Sequence, residues 1–194
     1  MGLPGTDKSS ILKKIQKEFP DVMTINTDKM VSSIYSDQQF LENLYEHYAF
    51  FRGVHGIYRD EFGSIVLNKQ EFGECLFRNQ EHLDYLYRQV HPIVLKQTMD
   101  VANKHSKVVI ECPVPFKANL AQYCNKTYLI DCPTTKRLSK VVERGWTIDD
   151  MLNRDKQILL DLKDNSIFVT PIVEDDIIAE IKHFNDSKRP ELGL

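Results

Sequence analysis

Apolar residues recur at helical spacing near the start of the chain. In SSILKKIQKEF, residues 9–19, Ile11, Leu12, Ile15 and Phe19 share one face, and Pro20 ends the pattern. An amphipathic helix is predicted there. The next apolar run, VMTI at 22–25, is short and ends in Asn26, Thr27 and Asp28, so it reads as a strand that delivers polar side chains at its carboxyl end. Residues 29–35 return to helical character. KVVIECP at 107–113 and TYLIDCP at 127–133 are continuous apolar runs of the length of strands buried on both faces, and SIFV at 166–169 is a last short strand. Helices are predicted over 134–144, 147–163 and 173–185, the second opened by Thr147 and Asp150 at capping-box spacing. The tail SKRPELGL is polar and expected to fray.

From 37 to about 104 the pattern changes. Aromatics and charges mix without a strand signal around Gly53, Gly56 and Gly63, and two helical blocks follow, at 69–77 and over 79–104. Pro92 should kink or divide the second. Strands alternating with helices imply a parallel sheet covered on both faces, so the predicted class is α/β in three layers, α/β/α. Residues 1–36 and 105–194 form its core, with a lid around 137–150, and 37–104 form a helical insert that would bind an acceptor.

With 194 residues, 42% of them hydrophobic and 27% charged, the chain suits one such domain with an insert. No apolar run approaches a membrane span and no secretory signal opens the chain, which makes a cytoplasmic protein without a membrane partner the expectation. The four cysteines form no C-x-x-C pair or metal cluster with the six histidines, and a net charge of −3 leaves no footprint for nucleic acid.

The candidate chemistry starts in MGLPGTDKSS. A phosphate-binding loop follows G-x-x-x-x-G-K-[ST], and here Asp7 stands where the second glycine belongs, followed by Lys8 and Ser9. In such a loop backbone N–H groups cradle phosphate, the lysine neutralises it, and the next hydroxyl holds Mg2+. Gly2, Gly5, Thr6, Asp7, Lys8, Ser9 and Ser10 are therefore the candidate ATP contacts, with Ser9 the candidate metal ligand. Asp7 tolerates the left-handed backbone a glycine would take. Its carboxylate would repel phosphate by about 4 kcal/mol at ~4 Å, and by under about 1 kcal/mol if turned into water. A loop of this kind is fed by a buried strand, so a further strand of roughly 5–8 residues is expected upstream of Met1.

The motifs downstream, INTDKMVSSIY, FGSIVLNKQEF with CLF, VHPIV, VIECPVPF and RLSKVVERGWTIDDMLNRDKQ, resemble in that order the series of the dephospho-coenzyme A kinases, from Gly2 to about Ile181. The resemblance implies a P-loop kinase-like fold and transfer of the ATP γ-phosphate to the 3'-hydroxyl of dephospho-coenzyme A, with Mg2+. It places Asp28 at the second acid of the family's Asp-x-Asp, acting on the acceptor hydroxyl, while the first acid is Asn26 here. A carboxylate at a strand's carboxyl end suits that work; a plain helix N-cap is the other reading of Asp28. His91, of the His-Pro pair, and Lys69, where Leu67-Asn68-Lys69 replaces Leu-x-Arg, fall in the acceptor region. Lysine keeps the charge of arginine without its bidentate fork. Lys117 stands where the family has an acid, and Glu111 is the nearby acid able to share its work as a substrate contact. Arg137, Lys140 and Arg144 recur at three and four residues in the block that resembles the lid; the first two would reach polyphosphate and Arg144 the transferring group. Thr170 falls where an asparagine usually lies near adenine.

Other readings share these residues. A nucleoside monophosphate kinase would use the same loop with a smaller acceptor region, and a degenerate loop protein would bind nucleotide or coenzyme A without turnover. The expected partner is a small-molecule acceptor, and the expected state is a monomer or weak oligomer.

Overall fold

The computed structural model describes residues 1–51, 53–163 and 165–187, so most of the polar tail lies outside the described residues. Chain order runs α1 (Lys8–Glu18), β1 (Met23–Asn26), α2 (Thr27–Ile34), α3 (Gln38–Tyr48), β2 (Ile57–Arg59), β3 (Ile65–Leu67), α4 (Lys69–Arg78), α5 (Gln80–Ala102), β4 (Val108–Glu111), β5 (Thr127–Ile130), α6 (Thr134–Glu143), α7 (Ile148–Lys163), β6 (Val169–Ile172) and α8 (Glu174–Ser187).

β1 and β4 pair in parallel, Ile25 opposite Ile110, and β5 and β6 pair in parallel, Leu129 opposite Pro171. Met1 extends the second pair: its amine donates to the Tyr128 carbonyl at 2.7 Å, and its own carbonyl accepts from Ile130 N at 3.0 Å. Neighbouring residues on each strand face opposite layers, as the pleat requires. Val109 and Tyr128 pack with Ile11 and Ile15 of α1 and Ile177 of α8. Leu129 packs with Ile158 and Leu162 of α7, and Ile110 packs with the cluster that contains α5. Two helical layers thus enclose the strands, as the apolar runs predicted.

The insert differs from its sequence pattern in two places. A β2–β3 hairpin lies where no strand was predicted, because each strand has three residues and buries one side chain fully, Ile57 or Ile65. α5 runs unbroken through Pro92. Leu83, Leu86, Val90 and Val94 form one buried stripe across the proline, and that packing overrides the lost hydrogen bond, which costs about 3 kcal/mol in an isolated helix. The last strand also starts later than SIFV suggested, because Ser166–Phe168 form a 3-10 turn. Pro171 is tolerated in β6, which pairs only with β5 among the described residues. No helix of the described residues is long and apolar enough to cross a membrane.

Candidate active site

The loop before α1 has one position that only glycine fits. Gly5 has φ +79°, and a Cβ there would lie 2.5 Å from the Arg137 carbonyl oxygen. Two residues on, Asp7 occupies the left-handed region at φ 59°, ψ 28°, as its sequence position required. Its Oδ1 accepts from Ser10 Oγ at 3.2 Å, and its charge is felt by exposed Lys14. The carboxylate therefore lies along the start of α1. Asp7→Gly should lower the KM for ATP by no more than about fivefold, the equivalent of ~1 kcal/mol for a carboxylate in water; a fall beyond about fiftyfold in steady-state kinetics would show that the charge faces the phosphates.

Lys8 folds back over the loop, its Nζ donating to the carbonyls of Gly2 at 2.7 Å and Leu3 at 3.1 Å. Its surroundings pull the ammonium below its ordinary range through desolvation, against the attraction of Glu111 and Asp28. Thr6 is buried and donates to the Leu3 carbonyl at 2.8 Å, closing the turn. Ser9 Oγ donates to Glu111 Oε2 at 3.2 Å, and Asn26 Nδ2 donates to the same oxygen at 2.5 Å. Burial raises the Glu111 carboxyl above its usual range, opposed by Lys8.

Asn26 also settles the alternative reading of Asp28. The N-cap of α2 is Asn26, whose side chain accepts from Lys29 N at 2.9 Å, so the Asp28 carboxylate is not the cap. Asp28 sits in the first turn of α2, where the helix dipole favours a negative charge. Asp28 is exposed on the wall of a cavity, and the protein packed beside it still strips part of the water from its carboxylate. That desolvation raises its carboxyl, while Lys8, Arg154 and Arg144 oppose the shift.

The cavity, of about 320 Å³, lies between the loop before α1, the helices α2, α4 and α5, and the chain around Arg144 and Arg154. Of the residues named from sequence it brings together Lys8, Asp28, Lys69, His91 and Arg144. The Lys69 ammonium lies 5.7 Å from the Tyr35 ring centre. The His91 ring stacks on Tyr87 at 4.5 Å, and its Nδ1 is 3.1 Å from the Lys117 carbonyl. Since a carbonyl only accepts, Nδ1 carries the proton and Nε2 remains an acceptor; burial lowers the ring's pKa and keeps it neutral. Arg144 is exposed at the end of α6.

Arg137 and Lys140 are placed otherwise than their spacing suggested. Arg137 is buried, with Nε on the Pro4 carbonyl at 2.9 Å and a terminal nitrogen 2.6 Å from both Asp155 oxygens. Its guanidinium braces the loop from behind. Lys140 pairs with Glu143 at 3.5 Å and is absent from the cavity lining. Lys117 turns its ammonium to Gln157 Oε1 at 3.3 Å, and the acid beside it is Asp161, which accepts from Lys117 N at 2.7 Å. Arg154 also lines the cavity; it lies within the RLSKVVERGWTIDDMLNRDKQ block but has no role assigned from sequence. At the lid, Thr147 and Asp150 form the predicted reciprocal cap, at 3.0 and 3.1 Å.

The oxygen donors at the loop, the Ser9 hydroxyl and the Glu111 carboxylate, suit a hard divalent cation that keeps waters and phosphate oxygens as its other ligands. No cluster of three or more His, Cys, Asp or Glu residues able to hold a metal occurs among the described residues. Mg2+ at a nucleotide needs none.

The model of the dephospho-CoA kinase family matches residues 2–161. No curated protein matches the chain significantly. Among solved structures, a crystal structure of a Thermus thermophilus protein aligns with a TM-score of 0.68 at 19% identity, covering 97% of this chain and 95% of that one. A dephospho-CoA kinase from Campylobacter jejuni aligns with a TM-score of 0.55 at 17% identity, covering 95% and 94%. At such identities the structural likeness is one of fold, α/β with parallel strands.

Proposed function

We propose, from the premise that the chain belongs to the dephospho-CoA kinase family and phosphorylates dephospho-CoA with ATP, that the reaction takes place at the mouth of the cavity where Lys8, Asp28 and Arg144 meet. The observation that carries this assignment is the convergence of one carboxylate with two cations on a space of acceptor size. The loop of residues 2–10 holds the ATP phosphates, and Lys8 exchanges its carbonyl partners for phosphate oxygens. Ser9 and Glu111 would hold Mg2+, which would supply neutralisation of phosphate charge there.

Asp28 orients the acceptor 3'-hydroxyl and accepts its proton as the hydroxyl oxygen bonds to the γ-phosphorus and the bond to the β–γ bridging oxygen breaks, releasing ADP. Arg144 stabilises the equatorial oxygens in transit. His91 offers Nε2 and Lys69 its charge to the acceptor. Apolar walls, among them Tyr35, Phe72 and Leu86, suit the acceptor's long uncharged arm.

A coupled assay of the purified chain with ATP, Mg2+ and dephospho-CoA tests the assignment. ADP release that depends on dephospho-CoA, and is not elicited by nucleoside monophosphates, is the expected result. Binding of dephospho-CoA by calorimetry without any ADP release would instead establish a binder that has lost turnover.

A further inference from the structure

The reading above leaves one cation of the cavity without work. Arg154, on α7, lies between the Phe77 ring of α4 and the Trp146 ring of the lid, its guanidinium carbon 4.2 Å from each ring centre. It makes no hydrogen bond and no ion pair with any described residue, and its Nε is buried without a partner. A guanidinium carries five donors in a rigid fork, and a buried donor left unpaired costs about 1–3 kcal/mol. Asp150, Asp28 and Glu74 act on it only through their fields. The two rings flank the guanidinium and hold the fork in place between them. An oriented, unpaired cation facing a cavity is a site for an anion.

We propose that Arg154 binds the diphosphate of the acceptor in the cavity that it lines together with Asp28 and Arg144; this rests on the acceptor assignment made above. Lys8 and Arg144 serve the transferred phosphate, and a diphosphate brings two further negative charges, more than the single charge of Lys69 offsets. The guanidinium fork matches paired phosphate oxygens, which a lysine would not. Because Phe77 belongs to the insert and Trp146 to the lid, an acceptor held by Arg154 touches the element that joins them.

Calorimetric titration of dephospho-CoA into the full chain, with a non-hydrolysable ATP analogue filling the loop, tests the proposal. Arg154→Met should raise the acceptor Kd about 10- to 100-fold, and Arg154→Lys nearly as much, while the Kd of the analogue moves less than about threefold. Equal acceptor affinity in the wild type and Arg154→Lys overturns the proposal and leaves Arg154 a strut between α4 and α7; Arg154→Lys keeps a charged stem and serves if Arg154→Met fails to fold. Trp146 is the only tryptophan and a built-in reporter of its neighbour. Inorganic pyrophosphate, titrated into the analogue-filled protein, should change its emission in the wild type and not in Arg154→Lys; an identical response in both overturns the anion site. A pyrophosphate response confined to the wild type, with no binding of dephospho-CoA, supports the anion site and overturns the acceptor assignment instead.

Discussion

Asp28→Asn lowers kcat by about 10²–10⁴-fold, the usual range for loss of a positioned general base, with little change in the KM for ATP. The amide keeps the shape and position of the carboxylate but cannot take the proton. The pH profile carries a second signature. The protein around Asp28 raises its carboxyl above the ordinary carboxylate range, so the group is protonated and inactive up to a higher pH than a free aspartate. The wild-type kcat/KM therefore climbs with pH through that raised value. Glu111 is raised as well, first by burial and then in part by the charge of Asp28. The two titrate as a pair, and in Asp28→Asn the remaining acid limb, which belongs to Glu111, moves to lower pH.

The same shift fixes the sign of the stability effect. A carboxyl whose folded pKa is raised favours folding below its unfolded pKa, and that contribution is lost as pH rises through the folded value. Ionised Asp28 is therefore tolerated for activity at neutral pH, and Asp28→Asn should melt at or above the wild-type temperature there. A variant that is inactive and also melts well below wild type would make Asp28 a structural residue. A kcat within threefold of wild type would remove it from the chemistry altogether.

The strands that flank the site were legible because burial on both faces leaves continuous apolar runs, and VMTI, KVVIECP and TYLIDCP fall within one to three residues of β1, β4 and β5. The loop was legible from Gly5, Lys8 and Ser9 and from the tolerance of Asp7 for left-handed backbone. What was not legible depends on contacts between distant residues. Arg154 meets Phe77 and Trp146 through the packing of α4 on α7, and its place in the RLSKVVERGWTIDDMLNRDKQ block does not reveal those contacts. Asn26 reads as a lost acid, yet its side chain caps α2 and holds Glu111. The basic block misled for a geometric reason. Arg137 and Arg144 share one azimuth, but seven residues separate them by about 10.5 Å along the helix axis. One therefore reaches the back of the loop and the other the cavity.

That separation leads to the largest stability effect in the molecule. Asp155→Ala leaves the Arg137 guanidinium buried without its anion, and breaking such a pair costs about 3–5 kcal/mol, a fall in Tm of roughly 6–20 °C for a chain of this size. Differential scanning calorimetry reads it. The double variant Arg137→Met with Asp155→Leu removes both charges together and should recover most of the loss, because apolar groups of similar volume replace a buried ion pair at little net cost. It does not restore the donor to the Pro4 carbonyl, so the loop stays less firmly held and the KM for ATP should remain raised, by about fivefold for one hydrogen bond of ~1 kcal/mol. The split between recovered stability and a small residual KM effect separates a brace from a ligand. If the double variant melts like the wild type but its KM for ATP rises by more than about a hundredfold, Arg137 leaves Asp155 to grip the polyphosphate during turnover, and the role its helical spacing suggested is the correct one.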